Sequence, residues 1–169
     1  MSLTLSQATI PFWVRPLKAM LTIIDKAEAF AEAKKIDPSV LINARLAPDM
    51  KPLSFQVQVA CDMVKLGAAR LAGLTPPSFP DTETTFEELR VRIHKTLDYI
   101  QSIDSAAIDA GADRTIELKF PQATFNFKGA DYAHGWVIPN LHFHVTTFYN
   151  ILRHNGLDLE KADYLSGML

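Results

Sequence analysis

Four stretches of this sequence repeat apolar residues at spacings of three and four, and that period leaves little choice of fold. Between residues 17 and 35, Leu17, Met20, Leu21, Ile24, Ala27 and Ala31 fall on one side of a helix, with Lys18, Asp25, Lys26, Glu28 and Glu32 between them. From about Pro52 to Leu71 the stripe is Leu53, Val57, Ala60, Val64, Ala68 and Leu71. After Thr85 it is Phe86, Leu89, Ile93, Leu97 and Ile100, and from about Pro139 to Asn155 it is Leu141, Val145, Phe148 and Leu152. Helices of similar length with one apolar side each bury those sides most economically against one another. The expectation is an all-α four-helix bundle forming a single domain over residues 1–169.

Local signals set the predicted boundaries. Pro11 and Pro16 precede the first stripe, so that helix either starts near Pro16 or is kinked there. Asp37 followed by Pro38 reads as the cap and first residue of a short helical turn through Val40, Leu41 and Ile42. Gly73 and Gly156 are stop signals, and Pro76, Pro77 and Pro80 mark a stiff connector. Thr85 and Glu88 have the spacing of a capping box. Between Thr115 and Lys128 the period changes to two: Ile116, Leu118 and Phe120, then Phe125 and Phe127, alternate with polar residues. This predicts a small β-hairpin between the third and fourth helices. Because an isolated hairpin is marginal in water, its phenylalanine face should lie against the helices.

Composition excludes several classes of function. With 48% hydrophobic and 21% charged residues, the chain can build an ordinary packed core. The net charge is −2 and no stretch concentrates Lys or Arg, so a nucleic-acid partner is not expected. The segment from Met1 to Trp13 lacks the basic start and apolar run of a secretion signal, and no run is long enough to span a bilayer. Cys61 is the only cysteine, which excludes an intrachain disulfide and suits a reducing compartment. A cytoplasmic protein with no membrane partner follows as the expectation. No nucleophile elbow, P-loop, dinucleotide fingerprint or H-E-x-x-H zinc motif occurs.

The remaining polar candidates centre on His144. On a helix, residues two apart point about 200° away from each other, so His142 and His144 cannot share a ligand there. Asn140, His144 and Thr147 instead form a polar strip along the flank of the apolar side. His144 should point partly inward, and His142, His134 and His154 should be surface or loop groups. On the second long helix Gln56 lies one position from the stripe and can reach the interior, whereas Asp62 projects from the opposite side. His144 is open to three readings: a buried histidine with satisfied nitrogens, a catalytic or metal-binding group, or part of a ligand pocket with Gln56, Asn140 and Thr147. Cys61 flanks the same stripe and reads as a small buried hydrophobe or, alternatively, as a functional thiol.

The segments Leu53-Ser54-Phe55-Gln56-Val57, Ala69-Arg70-Leu71-Ala72-Gly73, Pro139-Asn140-Leu141-His142-Phe143-His144-Val145-Thr146-Thr147 and Ile151-Leu152-Arg153-His154-Asn155-Gly156 resemble a domain-of-unknown-function branch of the DinB/YfiT-like superfamily. The resemblance extends to Arg45-Leu46-Ala47-Pro48-Asp49-Met50 and to Asp163-Tyr164-Leu165. It implies an up-down-down-up bundle, often a homodimer. In relatives it implies a divalent metal held by one histidine of the second helix and two of the fourth, with thiol-transfer activity in some. Matching Leu152, Arg153 and Gly156 to the L-R-x-x-G of those relatives puts His144 on the second of the fourth-helix histidines and Asn140 on the first. The second-helix histidine is missing, with Gln56 or Cys61 nearest to its place. Two readings follow: an enzyme with a degenerate metal site and a catalytic His144, or a non-catalytic dimeric module that binds a small ligand or is purely structural. The cofactor expectation is accordingly none, or a divalent metal (Zn, Ni or Mn) at His144.

Overall fold

The computed structural model describes residues 3–168. The first helix, α1, spans Leu5–Lys34 and so starts well before Pro16. Thr4 caps it through a capping box with Gln7, and both Pro11 and Pro16 lie inside it. A proline in a helix interior costs about 3 kcal/mol. Burial offsets that cost: Leu5, Thr9, Trp13, Val14 and Pro16 extend the inward side of the helix a further three turns toward the N-terminus. The short α2, Pro38–Ile42, is capped by Asp37, whose carboxylate accepts from the Ser39 amide at 2.8 Å. Helix α3, Leu53–Ala72, ends at Gly73, whose φ of 73° is the left-handed conformation that glycine adopts without strain.

Helix α4, Phe86–Ser102, begins with the expected Thr85/Glu88 capping box, and its whole predicted stripe is buried. Two elements without a clear sequence period follow the same capping logic. They are α5, Ser105–Asp109, capped by Asp104, and the C-terminal α8, Lys161–Leu165, capped by Glu160 and continued by a 3₁₀ turn over Ser166–Met168.

The hairpin pairs β1, Thr115–Phe120, with β2, Ala123–Lys128, in antiparallel register. Phe120 lies opposite Ala123, so the turn consists of Pro121 and Gln122. The phenylalanine face is only partly covered. Ile116 and Leu118 are the buried residues of the hairpin, while Phe120 and Phe125 each remain 44% exposed. Their rings, with that of Phe127, gather around Trp136 at centroid distances of 5.8, 6.1 and 5.9 Å. Ile116 and Leu118 join the core cluster, and Phe127 and Trp136 pack against its edge.

Directly after β2 the chain turns helical again: α6 over Gly129–Tyr132, a π turn over Ala133–Val137, and α7 over Ile138–His154. The last helical run therefore begins ten residues before Pro139. Backbones pack without intervening side chains at its start. A Cβ at Gly129 would lie 2.0 Å from the Gly111 carbonyl oxygen, and one at Gly111 would lie 2.0 Å from that of Leu71.

The protein is mostly α-helical, with one small two-stranded antiparallel sheet. Helices α1 and α3 each pack against both α4 and α7, and the buried apolar side chains of all four join in one continuous cluster. Among the described residues no helix is long and apolar enough to cross a membrane.

Candidate functional site

The close packing of α3 on α7 decides what His144 meets. Gln56 lies in the first turns of α3, where its side chain is 2% exposed and turned toward α7. Its amide nitrogen donates to the Lys51 carbonyl at 3.0 Å, which fixes the amide so that Oε1 faces His144. Nδ1 of His144 lies 2.8 Å from that oxygen. An amide oxygen only accepts, so Nδ1 carries the hydrogen and Nε2 keeps its lone pair. Burial of the ring lowers the pKa of His144 below the ordinary imidazole value, and no carboxylate contact opposes it. The site thus holds a neutral imidazole of fixed tautomer, set between the edges of Phe55 and Phe143 at 6.2 and 5.2 Å. Phe143 is exposed and His144 is partly so, which opens this side of α7 to solvent.

The other members of the strip have spent their polar atoms on their own helix. Asn140 donates to the Trp136 carbonyl at 2.7 Å, across the junction of the π turn and α7. Thr147 donates to the Phe143 carbonyl at 2.7 Å. Of the candidate residues, only Gln56 is hydrogen-bonded to His144.

Cys61 is fully buried and faces the other way, toward Thr96 and Arg92 of α4. Burial pushes its thiol up to about 12, against weaker opposing effects of Thr96 and Arg92, so it is protonated. His134 and His154 are exposed as expected. His142 is not a free surface group: it is half-buried and its Nδ1 lies 2.9 Å from the hydroxyl of Tyr164 on α8, an element that the sequence did not reveal.

A three-histidine metal centre does not fit these residues. Among the described residues no three His, Cys, Asp or Glu side chains converge as metal ligands. The neighbours of His144 are an amide and two aromatic rings, none of which matches a histidine or carboxylate as a transition-metal donor.

A second polar assembly went unrecognised in the sequence. Arg92 of α4, 2% exposed, reaches Glu83 at 2.8 Å, Asp81 at 2.9 Å and Asp62 at 3.1 Å, and donates to the Pro80 carbonyl at 3.2 Å. Lys65 joins it through Asp62 at 2.7 Å and lies 4.5 Å over the Phe79 ring. Burial acts to raise the carboxyl of Glu83, but hydrogen bonds from Arg92 and Gln58 prevail and hold it below its ordinary value. Asp62 does point away from Gln56, as the helix geometry requires, and this network is what it points into. The available signal was an arginine inside a buried stripe, between Leu89 and Ile93. Beside this network lies a groove of about 460 Å³ under the proline-rich connector, lined by Phe79, Pro80, Glu83, Val91, Arg92 and Lys95 among others. Its charged groups largely satisfy one another, and Glu88 is occupied as the α4 cap. It reads as the seam that pins the connector to α3 and α4, whereas His144 retains an unspent nitrogen.

The family described as "Domain of unknown function (DUF1993)" matches residues 5–165. The chain belongs to the DUF1993 family. Among solved structures, a crystal structure at 1.83 Å of a DinB family member protein from Shewanella denitrificans is similar over 95% of this chain and 91% of that one, with 47% identity and a TM-score of 0.87. A DinB-like family is therefore what both comparisons support, as the sequence motifs imply. No match is found among curated proteins. In this DUF1993 chain the last helical run carries His144, and the geometry there is that of a histidine paired with glutamine.

Proposed function

We propose that this DUF1993 protein is a non-catalytic small-ligand-binding module that has lost the metal site of its wider superfamily. We further read it as one domain, an up-down-down-up four-helix bundle that works as a homodimer. The bundle reading is supported by the contacts of α1 and α3 with both α4 and α7.

The observation that carries the functional reading is the hydrogen bond between His144 and Gln56. It leaves Nε2 as a neutral acceptor beside two aromatic rings, suited to a ligand that presents an N–H or O–H donor next to a flat apolar group.

A catalytic reading of His144 rests on the same lone pair, since a neutral imidazole with a fixed tautomer is a competent general base. What weakens it is the company the histidine keeps. Gln56 cannot stabilise an imidazolium as a carboxylate would, and neither Cys61, which is protonated and faces α4, nor Thr147 offers a nucleophile to it.

Metal analysis of untagged protein before and after Zn, Ni or Mn loading tests the loss of the metal site. The expected content is below about a tenth of an equivalent, with no effect of His144→Ala. Stoichiometric metal that disappears in His144→Ala overturns the proposal. Phenol, an aromatic donor, tests the binding site: in ¹⁵N spectra it should displace the His144 Nε2 resonance and leave that of His142 unchanged. An unmoved His144 signal at millimolar phenol counts against the site. The homodimer is tested by light scattering at micromolar concentration, where the mass of a single chain would refute it.

A further inference from the structure

His142 points away from His144 and forms part of a different cavity, where α1, α7 and α8 meet. The cavity measures about 120 Å³ and its walls include Phe12, Arg15, Pro16, His142, Tyr164 and Leu165. None of the residues lining it is acidic, and among the described residues Arg15 has no carboxylate partner within ion-pair distance. The Arg15 guanidinium lies 5.3 Å over the ring of Phe12, which also lines the cavity.

The hydrogen bonds of His142 settle which hydrogen it carries. The Tyr164 hydroxyl accepts from Thr146 at 3.3 Å and lies 2.9 Å from His142 Nδ1. Burial lowers the pKa of His142, so the ring is neutral near pH 7. A phenol is a stronger donor than a neutral imidazole N–H, so Tyr164 donates to Nδ1 and the ring hydrogen sits on Nε2. Arg15 and His142 are the charged or donor-bearing residues of an otherwise apolar lining, and both are then donors: the guanidinium N–H groups and one imidazole N–H. Phe12, Pro16 and Leu165 supply apolar surface beside them. Donors with a cation and, among the described residues, no competing anion recognise a carboxylate, and Arg in particular binds it in bidentate geometry. A concavity of about 120 Å³ suits a short chain.

We infer that this cavity binds a small organic monocarboxylate with an apolar body of about three or four carbons, on the butyrate scale. The carboxylate pairs with Arg15 and takes the His142 Nε2 hydrogen, while the alkyl chain lies against Phe12, Pro16 and Leu165. Tyr164 acts as a positioning residue that fixes the tautomer of His142. The site stands on the opposite side of α7 from His144 and is independent of the reading proposed for that residue.

Titration of the full chain with butyrate, followed by two-dimensional ¹H–¹⁵N spectra, tests it. Saturable millimolar binding is expected, with shifts confined to the neighbourhood of residues 12–16, 142 and 164–167. Butyramide, which lacks the charge, and inorganic phosphate, which lacks the chain, should each bind at least tenfold more weakly. Arg15→Gln should abolish the butyrate shifts while leaving the rest of the spectrum unchanged. Arg15→Lys should retain part of the affinity, and Tyr164→Phe should weaken binding without removing it. Absence of saturation with butyrate overturns the proposal. So does phosphate binding as tight as butyrate, which is attraction to charge alone, or unchanged butyrate affinity in Arg15→Gln.

Discussion

Nδ1 of His144 on α7 sits 2.8 Å from Oε1 of Gln56 on α3, joining two residues that are 88 positions apart in the chain. Replacing Gln56 by Leu would remove the acceptor and leave a partly buried N–H without a partner. The expected cost is about 1–3 kcal/mol, measured by urea unfolding. The ¹⁵N spectrum of His144 should then show a mixture of tautomers. Gln56→Glu should act in the opposite direction on the ring, because a carboxylate beside Nδ1 favours the imidazolium and raises the pKa of His144.

Acid should destabilise the protein through both histidines of α7. Burial lowers the pKa values of His142 and His144 in the folded state, so the unfolded chain binds protons first as the pH falls. Stability is fully present above the unfolded imidazole value of 6.5 and declines as the pH drops from there toward the folded values. Urea midpoints measured from about pH 7.5 to about pH 5 should decrease, and His144→Asn should flatten that slope.

Cys61 should be inert in the folded protein. With its thiol pushed up to about 12 and its side chain fully buried, it presents neither thiolate nor access at neutral pH. A disulfide reagent such as dithionitrobenzoate should therefore register no thiol in buffer and one per chain in denaturant. Rapid labelling of native protein would contradict this placement.

Arg92→Met should be among the most damaging single changes. It leaves Glu83, Asp81 and Asp62 without their shared cation and frees the connector at Pro80. Breaking a buried ion pair from one side costs on the order of 3–5 kcal/mol. Early proteolysis between residues 74 and 84 should accompany that loss in the denaturant midpoint.

Gly129→Ala should disrupt the return of the hairpin into α6. The new methyl group would stand 2.0 Å from the Gly111 carbonyl oxygen, a backbone atom that cannot rotate aside. Circular dichroism should retain most of the helical signal while the melting temperature falls, because the clash falls on Gly111 and Leu71 and spares α1 and α4.

The parts of the fold that the sequence made readable are those where burial coincides with a single period. The stripe of α4 from Phe86 to Ile100 is buried throughout, and its Thr85/Glu88 cap is formed. Legibility fails where tertiary packing overrides a local rule. Pro11 and Pro16 suggest a boundary, yet Trp13 and Leu17 bury beside them and hold the helix together. The early start of the last helical run is hidden for a related reason, since Gly129 and Gly135 lower the helix propensity of a segment that Tyr132 and Val137 anchor in the core. At the candidate site, spacing alone put Gln56 and His144 on inward flanks of their helices. It gave no sign that His142 would find Tyr164, because the five-residue α8 is too short to show a period.

The π turn over Ala133–Val137 packs one more residue into its rise than plain α-helix would. Chain length and angular phase are thereby uncoupled at this point. Gly135 is exposed and a Cβ there would meet nothing within 4 Å, so its deletion would relax the turn to α-helix while Tyr132 and His144 kept their headings. A deletion between Leu141 and His144 would instead rotate every later side chain by about 100° and turn the imidazole away from Gln56. Single-residue insertions and deletions can thus accumulate upstream of the histidine without changing its aim, and comparison of chain lengths across DUF1993 should find them clustered in this turn.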